Sequence, residues 1–327
     1  SYLAHRTLPW FLSRIINKIF FGRDYLLFLL LVKKRITLIS HYHVLWKGCS
    51  IQSMGWIPDF QHVHLPNFFS KEECLNRDKH FLDLIKKSNA IIVSSQDSKK
   101  DLNQFFPDNT TPIHVLNFVP NISSDEYKCR GHSELMTFYN IDRPWFYIPN
   151  QFWAHKNHVV VIEALCLLKK EGLNFLVIAS GSTQDSRNPN YYNELMKSVN
   201  SYGLQNDFRA IGVIPYPDVI ALTKHSIAVT NPSLFEGLST SVEEAKAMGK
   251  KIILSDIEVH KEQNPERGYY FNSQDPQSLA NQMKKCVNEF HENEEIECYA
   301  KAQAKQSLKM IAFAKNYEKI CLHTIQK

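Results

Sequence analysis

The chain has 327 residues, 44% hydrophobic and 22% charged, without a low-complexity tract or a solenoid-period repeat. That excludes disorder and predicts two domains, since a single hydrophobic core rarely grows past about 250 residues. The net charge of +5 is mild, and without a basic stripe or a binding motif it excludes nucleic acid as a partner.

Near the start, Arg14, Lys18, Arg23, Lys33, Lys34 and Arg35 punctuate the apolar residues Trp10, Phe11, Leu12, Ile15, Ile16, Ile19, Phe20 and Phe21. The pattern predicts a basic amphipathic helix, which buries one face against a core or lies on an anionic bilayer. The run Tyr25–Val32 is too short to span a membrane, and no signal-peptide pattern is evident. Seven cysteines without a Cys-x-x-Cys pair fit reduced thiols, so the expected compartment is the cytoplasm.

Strands are predicted at Ile36–Ser40, Ile51–Trp56, Ala90–Ser94 and Ile113–Leu116, with a helix at Lys71–Lys87. The polar, turn-rich stretch Phe118–Arg143 predicts a boundary. Beyond it, strands at Trp145–Ile148, Phe175–Ala179, Phe208–Ile211, Ile227–Thr230 and Lys251–Ser255 alternate with helices at Val159–Lys170, Tyr191–Tyr202, Pro217–His225 and Thr240–Met248. Such alternation predicts successive βα units around a parallel sheet, an α/β, Rossmann-like domain. The expected division is an N-terminal domain over 1–120, a linker over 121–144, a C-terminal domain over 145–300, and a helix over 301–327 packing back on the first domain.

Segment 231–249 reads as strand, tight loop and helix. Gly237 lets the backbone approach a ligand, and Ser239 or Thr240 can cap the following helix, whose free N–H groups and dipole favour a diphosphate. Glu236 then stands before the anion site and Glu244 about one turn into the helix. Carboxylates so placed can accept hydrogen bonds from a donor sugar and from ribose hydroxyls. By spacing alone a capped surface helix is the simpler reading, because acidic residues favour the first turn of any helix.

The Glu-x7-Glu pattern of Glu236 and Glu244, preceded by Pro232, Ser233, Leu234 and Phe235 and followed by Ala245, Met248 and Gly249, resembles the large retaining GT-B family (family 4) that contains many bacterial mannosyl- and glucosyltransferases of surface polysaccharide assembly. The resemblance implies two Rossmann-like domains facing a cleft, with a nucleotide-sugar donor held mainly by the C-terminal one and no metal needed. It continues at 149–158, where Lys156 should meet the donor diphosphate and offset charge on the leaving phosphate. Many members carry an arginine five residues before that lysine. Here Gln151 stands there, so Asn150 and Gln151 are expected to line the site while Lys156 carries more of the charge. The loop Glu236, Gly237, Leu238, Ser239 and Thr240 should hold the diphosphate with it. Gly181 and Ser182 either let backbone approach the nucleotide or form a plain turn. Segment 255–260 also looks like the family's, at the sheet edge where ligands bind, without an assigned role.

In the first half, Trp56 to His62 resembles a family segment facing donor sugar and acceptor, followed by a similar stretch at Pro66, Phe68, Phe69 and Arg77. Asp59 and His62 are candidates to orient or deprotonate the acceptor hydroxyl; a structural histidine is the open alternative. His41/His43 and His62/His64 would each share one strand face, but no further ligand completes a metal site. Family members normally begin with a strand and a glycine-rich loop. This sequence opens in helical, basic material, so the first strand and loop of the N-terminal domain are expected to be missing. The expected reaction is transfer of a hexose, mannose from GDP-mannose by family membership, to a glycan or lipid-linked acceptor, with a peripheral position on the inner face of a membrane. A sugar-nucleotide 2-epimerase of the same fold and a non-catalytic partner of a glycan assembly complex are the alternatives.

Overall fold

Among the described residues two parallel sheets organise the chain, one of four strands and one of six. The structure is a computed structural model that describes residues 7–20, 25–41, 45–46, 48–122 and 129–326. The chain divides into two compact units: Ser1–Phe60, Lys71–Asn117 and Ala312–Lys327 form the first, Gln61–Ser70 and Phe118–Ile311 the second.

The first unit opens with α1 (Leu8–Phe20) and α2 (Tyr25–Lys33), followed by β1 (Leu38–Ser40) and β2 (Gln52–Ile57). The chain then contributes a short helix, α3 (Gln61–His64), to the second unit and returns with α4 (Lys71–Lys87), β3 (Ala90–Val93), α5 (Gln96–Phe105) and β4 (Ile113–Val115). The strands pair in the order β1-β2-β3-β4, all parallel. Every residue of β3 is buried, as a parallel strand covered on both faces requires. Met54, Ala90, Ile92, Leu116 and Ile320 form the core on one face, with Phe313 and Tyr317 packed against it. On α1 and α2 the large apolar side chains Leu8, Phe11, Ile16, Ile19, Leu26 and Leu29 are exposed. The side chains of Arg14, Lys18 and Phe20 and residues 21–24, part of the expected basic helix, lie outside the described residues.

In the second unit, α6 (His132–Phe138) precedes β5 (Trp145–Ile148), α7 (His158–Lys170), β6 (Leu176–Ala179), α8 (Tyr191–Ser201), β7 (Phe208–Ala210) and α9 (Tyr216–His225). Then come β8 (Val229–Asn231), α10 (Thr240–Ala247), β9 (Ile252–Ser255), α11 (Glu258–Gln263), β10 (Gly268–Phe271), α12 (Pro276–Asn288) and α13 (Glu292–Ile325), whose residues from Ala312 onward belong to the first unit. The strand order is β10-β9-β8-β5-β6-β7. From β5 the chain steps outward through β6 and β7, then returns to β8 on the other side of β5 and steps outward again. The neighbours β5 and β8, with Tyr147 opposite Val229, therefore flank a topological switch point. Loops leaving their carboxyl ends diverge, and open α/β sheets bind ligands in that crevice. Phe146, Ile148, Val161, Leu165 and Val177 pack under one face, and Trp145, Tyr147, Ile178 and Leu222 under the other.

Candidate active site

The loop after β5 begins with Pro149 and the buried Asn150. It ends in a 3-10 turn, Ala154–Lys156. Asn157 then takes a left-handed conformation, φ 53°, which asparagine tolerates better than most residues, and its amide donates to the Ser273 carbonyl at 2.9 Å. The turn so fixed presents Lys156. The loop after β8 is tied to it through the backbone, Leu234 N–H donating to the His155 carbonyl at 2.8 Å. Lys156 Nζ meets Glu236 Oε1 at 2.5 Å, with only 13% and 10% of the two side chains exposed.

Ser233 Oγ donates to the same Glu236 oxygen at 2.6 Å. Burial pushes the Glu236 carboxyl up, but the Lys156 charge and the hydrogen bonds from Lys156 and Ser233 outweigh it and hold the group below the usual carboxylate range. Burial and the Lys156 charge push the neighbouring His155 down to about 3, so its ring is neutral at working pH. His158, fully buried and stacked on Phe152 at 4.6 Å, is likewise pushed to about 3. Among the described residues Lys156 is therefore the cation held against the Glu236 carboxylate.

Ser239 stands at the N-cap of α10, yet its hydroxyl does not cap. Asn231 Nδ2 donates to it at 2.6 Å, and Gln263 Nε2 donates to its carbonyl at 3.0 Å. The expected capping bond is replaced by one to the end of β8, which leaves the first-turn N–H groups of α10 without a side-chain acceptor among the described residues. Thr240 is exposed at the helix start, and Gly237 and Leu238 are half-buried between it and Glu236. Further along α10, Tyr216 donates its hydroxyl to Glu244 Oε1 at 2.7 Å. Burial raises the Glu244 carboxyl despite that bond.

On the β6 side, Ser182 N–H donates to Gln151 Oε1 at 2.5 Å. Gly181 is required by close approach: an added Cβ would lie 2.5 Å from the Asn150 carbonyl oxygen. Its glycine thus serves packing against the β5 loop. Asn150 faces Asn231 and Ser241 at 3.5 and 3.4 Å, longer than good hydrogen bonds.

A family model described as glycosyl transferases group 1 matches residues 139–303, half of the chain, taking in β5 to β10. The chain belongs to that family. No curated protein matches its sequence. Among solved structures, it is similar to Anabaena HepE in complex with UDP and glucose, at 16% identity over 83% of this chain and 72% of that one, with TM-score 0.66. A glycosyltransferase from Rickettsia africae matches at 16% identity over 90% and 78% of the two chains, TM-score 0.66. Sucrose-phosphate synthase from Thermosynechococcus elongatus matches at 16% over 84% and 68%, TM-score 0.64. At such identities the likeness is one of fold, and that fold is GT-B.

In this glycosyltransferase the remaining sequence candidates lie on either side of the boundary between the two units. Asp59 belongs to the first unit, where Arg77 lies 3.7 Å away. His62 belongs to the second, buried beside the Phe69 ring. His62 and His64 sit on the helical turn α3 rather than on a strand, so these residues two apart do not share a face as they would on a strand. Instead His64 stacks on Phe235 at 4.9 Å and 25°, beside Glu236 in sequence. Asn231, Ser233, His155, Gln263 and Tyr216 also build the site and were not read as site residues. Asn231 and Ser233 lay within the quoted motif; Gln263 and Tyr216 carried no local signal. His260, with no role assigned from sequence, is fully buried with Nδ1 3.0 Å from the Ser255 carbonyl, and burial pushes it to about 4.

Proposed function

We propose that this glycosyltransferase is a retaining hexosyltransferase that moves a hexose from a nucleoside diphosphate to a glycan or lipid-linked acceptor. The observation that carries this reading is the Lys156–Glu236 pair at the switch point, beside the first turn of α10, which the N-cap side chain leaves uncapped. A diphosphate entering there meets an ammonium and helix N–H groups together, while Glu236 is kept ionised to accept from sugar hydroxyls. Lys156 and the loop Glu236–Thr240 stabilise charge on the leaving diphosphate. A phosphate oxygen then takes the acceptor proton on the face the nucleotide leaves, which preserves the anomeric configuration. Glu244 accepts from the ribose hydroxyls, and Asp59 and His62 serve the acceptor. Donor binding falls in the domain over 145–300 and acceptor binding in that over 1–120.

GDP-mannose is the donor suggested by the family resemblance. Anabaena HepE has been solved with UDP and with UDP-glucose, so uridine donors belong in the same test. Thermal shift and nucleotide release with GDP-mannose, UDP-glucose, GDP and UDP test the reading, since ligand bound to the folded state raises its stability. One base should give a shift that Lys156→Ala and Glu244→Ala remove, and no shift with any donor would refute it. A product with an inverted anomeric centre would refute retention, and nucleotide-sugar isomerisation without acceptor would favour the epimerase.

A peripheral position at an anionic membrane is part of the proposal. It is supported by the exposed apolar residues of α1 and α2 and by exposed Lys33, Lys34 and Arg35 after them. No helix among the described residues is long and apolar enough to cross a membrane. Pelleting with phosphatidylglycerol vesicles at low salt should occur and weaken as salt rises; its absence at low salt would refute this part.

A further inference from the structure

At the opposite edge of the same sheet, the amino-terminal ends of β5, β8 and β9, the second unit encloses a cavity of about 480 Å³. Its walls come from α6, α9, the residues entering these strands, and the first turns of α13. The volume suits a small organic ligand, and the lining has two distinct parts.

One part is aromatic: the exposed His132 ring, which covers the buried Trp145 indole. The His132 ring lies parallel to the Trp145 indole, at 5.7 Å and 10°, and 5.2 Å from His225. The other part holds polar groups without partners. Lys224 Nζ lies 4.6 Å above the Tyr299 ring, and among the described residues no carboxylate pairs with it. The Tyr299 hydroxyl and the Arg143 Nε–H are both buried without a hydrogen-bond partner. Neither His132 nor His225 has a hydrogen-bond partner among the described residues. Buried polar atoms are rarely left unpaired, and the Tyr299 hydroxyl and the Arg143 Nε–H are two such atoms beside this space, with the exposed His132 and the half-buried Lys224 and His225 next to them. Lys250 also lines it, but Glu295 at 2.6 Å and the Ser226 carbonyl already satisfy that ammonium.

We propose that this cavity binds a small aromatic acid, its ring system against the His132 ring that Trp145 supports from beneath and its anionic group at Lys224, Tyr299 and His225. The potential has the required sign. Burial, together with His132, Lys224 and Lys250, pushes His225 down to about 4, so a neutral ring sits in a positive field. The acidic groups facing the space are Glu292 and Glu295 of α13, and Glu295 is committed to Lys250 and Arg267. A bound carboxylate would raise His225, so binding takes up protons and affinity rises as pH falls. The site shares no residue with the donor site, and its occupation is independent of the function proposed above.

Titration calorimetry with 2-naphthoate, with uncharged 2-naphthalenemethanol and with decanoate tests this on the whole chain. The naphthoate should bind at least about tenfold tighter than either comparison ligand. Lys224→Gln should weaken it by at least about tenfold while the nucleotide thermal shift is unchanged. Affinity should rise between about pH 7.5 and 5, and His225→Asn should flatten that rise. Tyr299→Phe, which keeps the ring, controls for a folding defect at Lys224 and should also weaken binding. No heat at millimolar naphthoate, equal binding of the alcohol or of decanoate, or equal binding by Lys224→Gln would overturn the assignment, as would competition by UDP or GDP.

Discussion

Replacing Lys156 by methionine keeps most of the side-chain volume and removes the ammonium that faces Glu236. Both side chains are about nine-tenths buried, and breaking a buried pair from one side costs about 3–5 kcal/mol. The residual exposure of Glu236 and its bond from Ser233 place the loss toward the lower end, about 3 kcal/mol. In the wild type the folded Glu236 is depressed. Its contribution is therefore present above the unfolded carboxylate value, about 4.3, and lost as pH falls through the folded value. Without Lys156, burial is no longer offset and the folded group is raised, so ionising it destabilises the variant as pH rises. The difference between Lys156→Met and wild type should be largest near pH 7.5 and shrink toward pH 4.5, about the unfolded value. Urea denaturation followed by circular dichroism at several pH values measures it. The double variant Lys156→Met/Glu236→Gln should recover most of the loss, a coupling of about 2 kcal/mol. A loss below about 0.5 kcal/mol at every pH, as for an exposed pair, would refute the reasoning and reduce the pair to a surface contact.

Three further substitutions probe the parts around this pair. Glu244→Gln should raise the melting temperature near neutral pH: burial raises the folded group, so its stabilising contribution exists only below the unfolded value and is lost as pH rises. The same variant should bind the nucleotide donor about tenfold or more weakly, a stability gain at the cost of function; equal or lower stability at pH 7.5 would contradict the burial argument. Gly181→Ala forces a Cβ to 2.5 Å from the Asn150 carbonyl and should cost about 2–3 kcal/mol in a urea melt, with less than about 0.5 kcal/mol showing that the β5 loop yields. His64→Ala removes the ring stacked on Phe235 and should cost about 1 kcal/mol, and transfer assays should show a fall in kcat greater than the change in donor affinity if the stack positions Glu236.

Local pattern alone was enough for several elements. The helix Lys71–Lys87 and the strand Trp145–Ile148 stand where the sequence places them, because apolar runs and amphipathic periods are properties of neighbouring residues. Lys156 and Glu236 were both singled out from their segments, one in the loop after a strand and one before a helix. Other elements were not legible: β10 (Gly268–Phe271) is short and largely half-buried, and α12 lies in a stretch read without an element although Asp275 caps it and Pro276 opens it.

Proximity was decided by the tertiary structure. Lys156 and Glu236 are 80 residues apart, and only the strand order that sets β8 beside β5 brings their loops together. The same order takes the Ser239 hydroxyl away from its cap and gives it to Asn231. It also brings Gly181 so close to the Asn150 carbonyl that no Cβ fits there. The cavity at the amino-terminal edge has no sequence signature, since His132, Lys224 and Tyr299 come from three helices. A chain's periodicities fix which elements form, while burial of both faces of each sheet fixes which side chains meet.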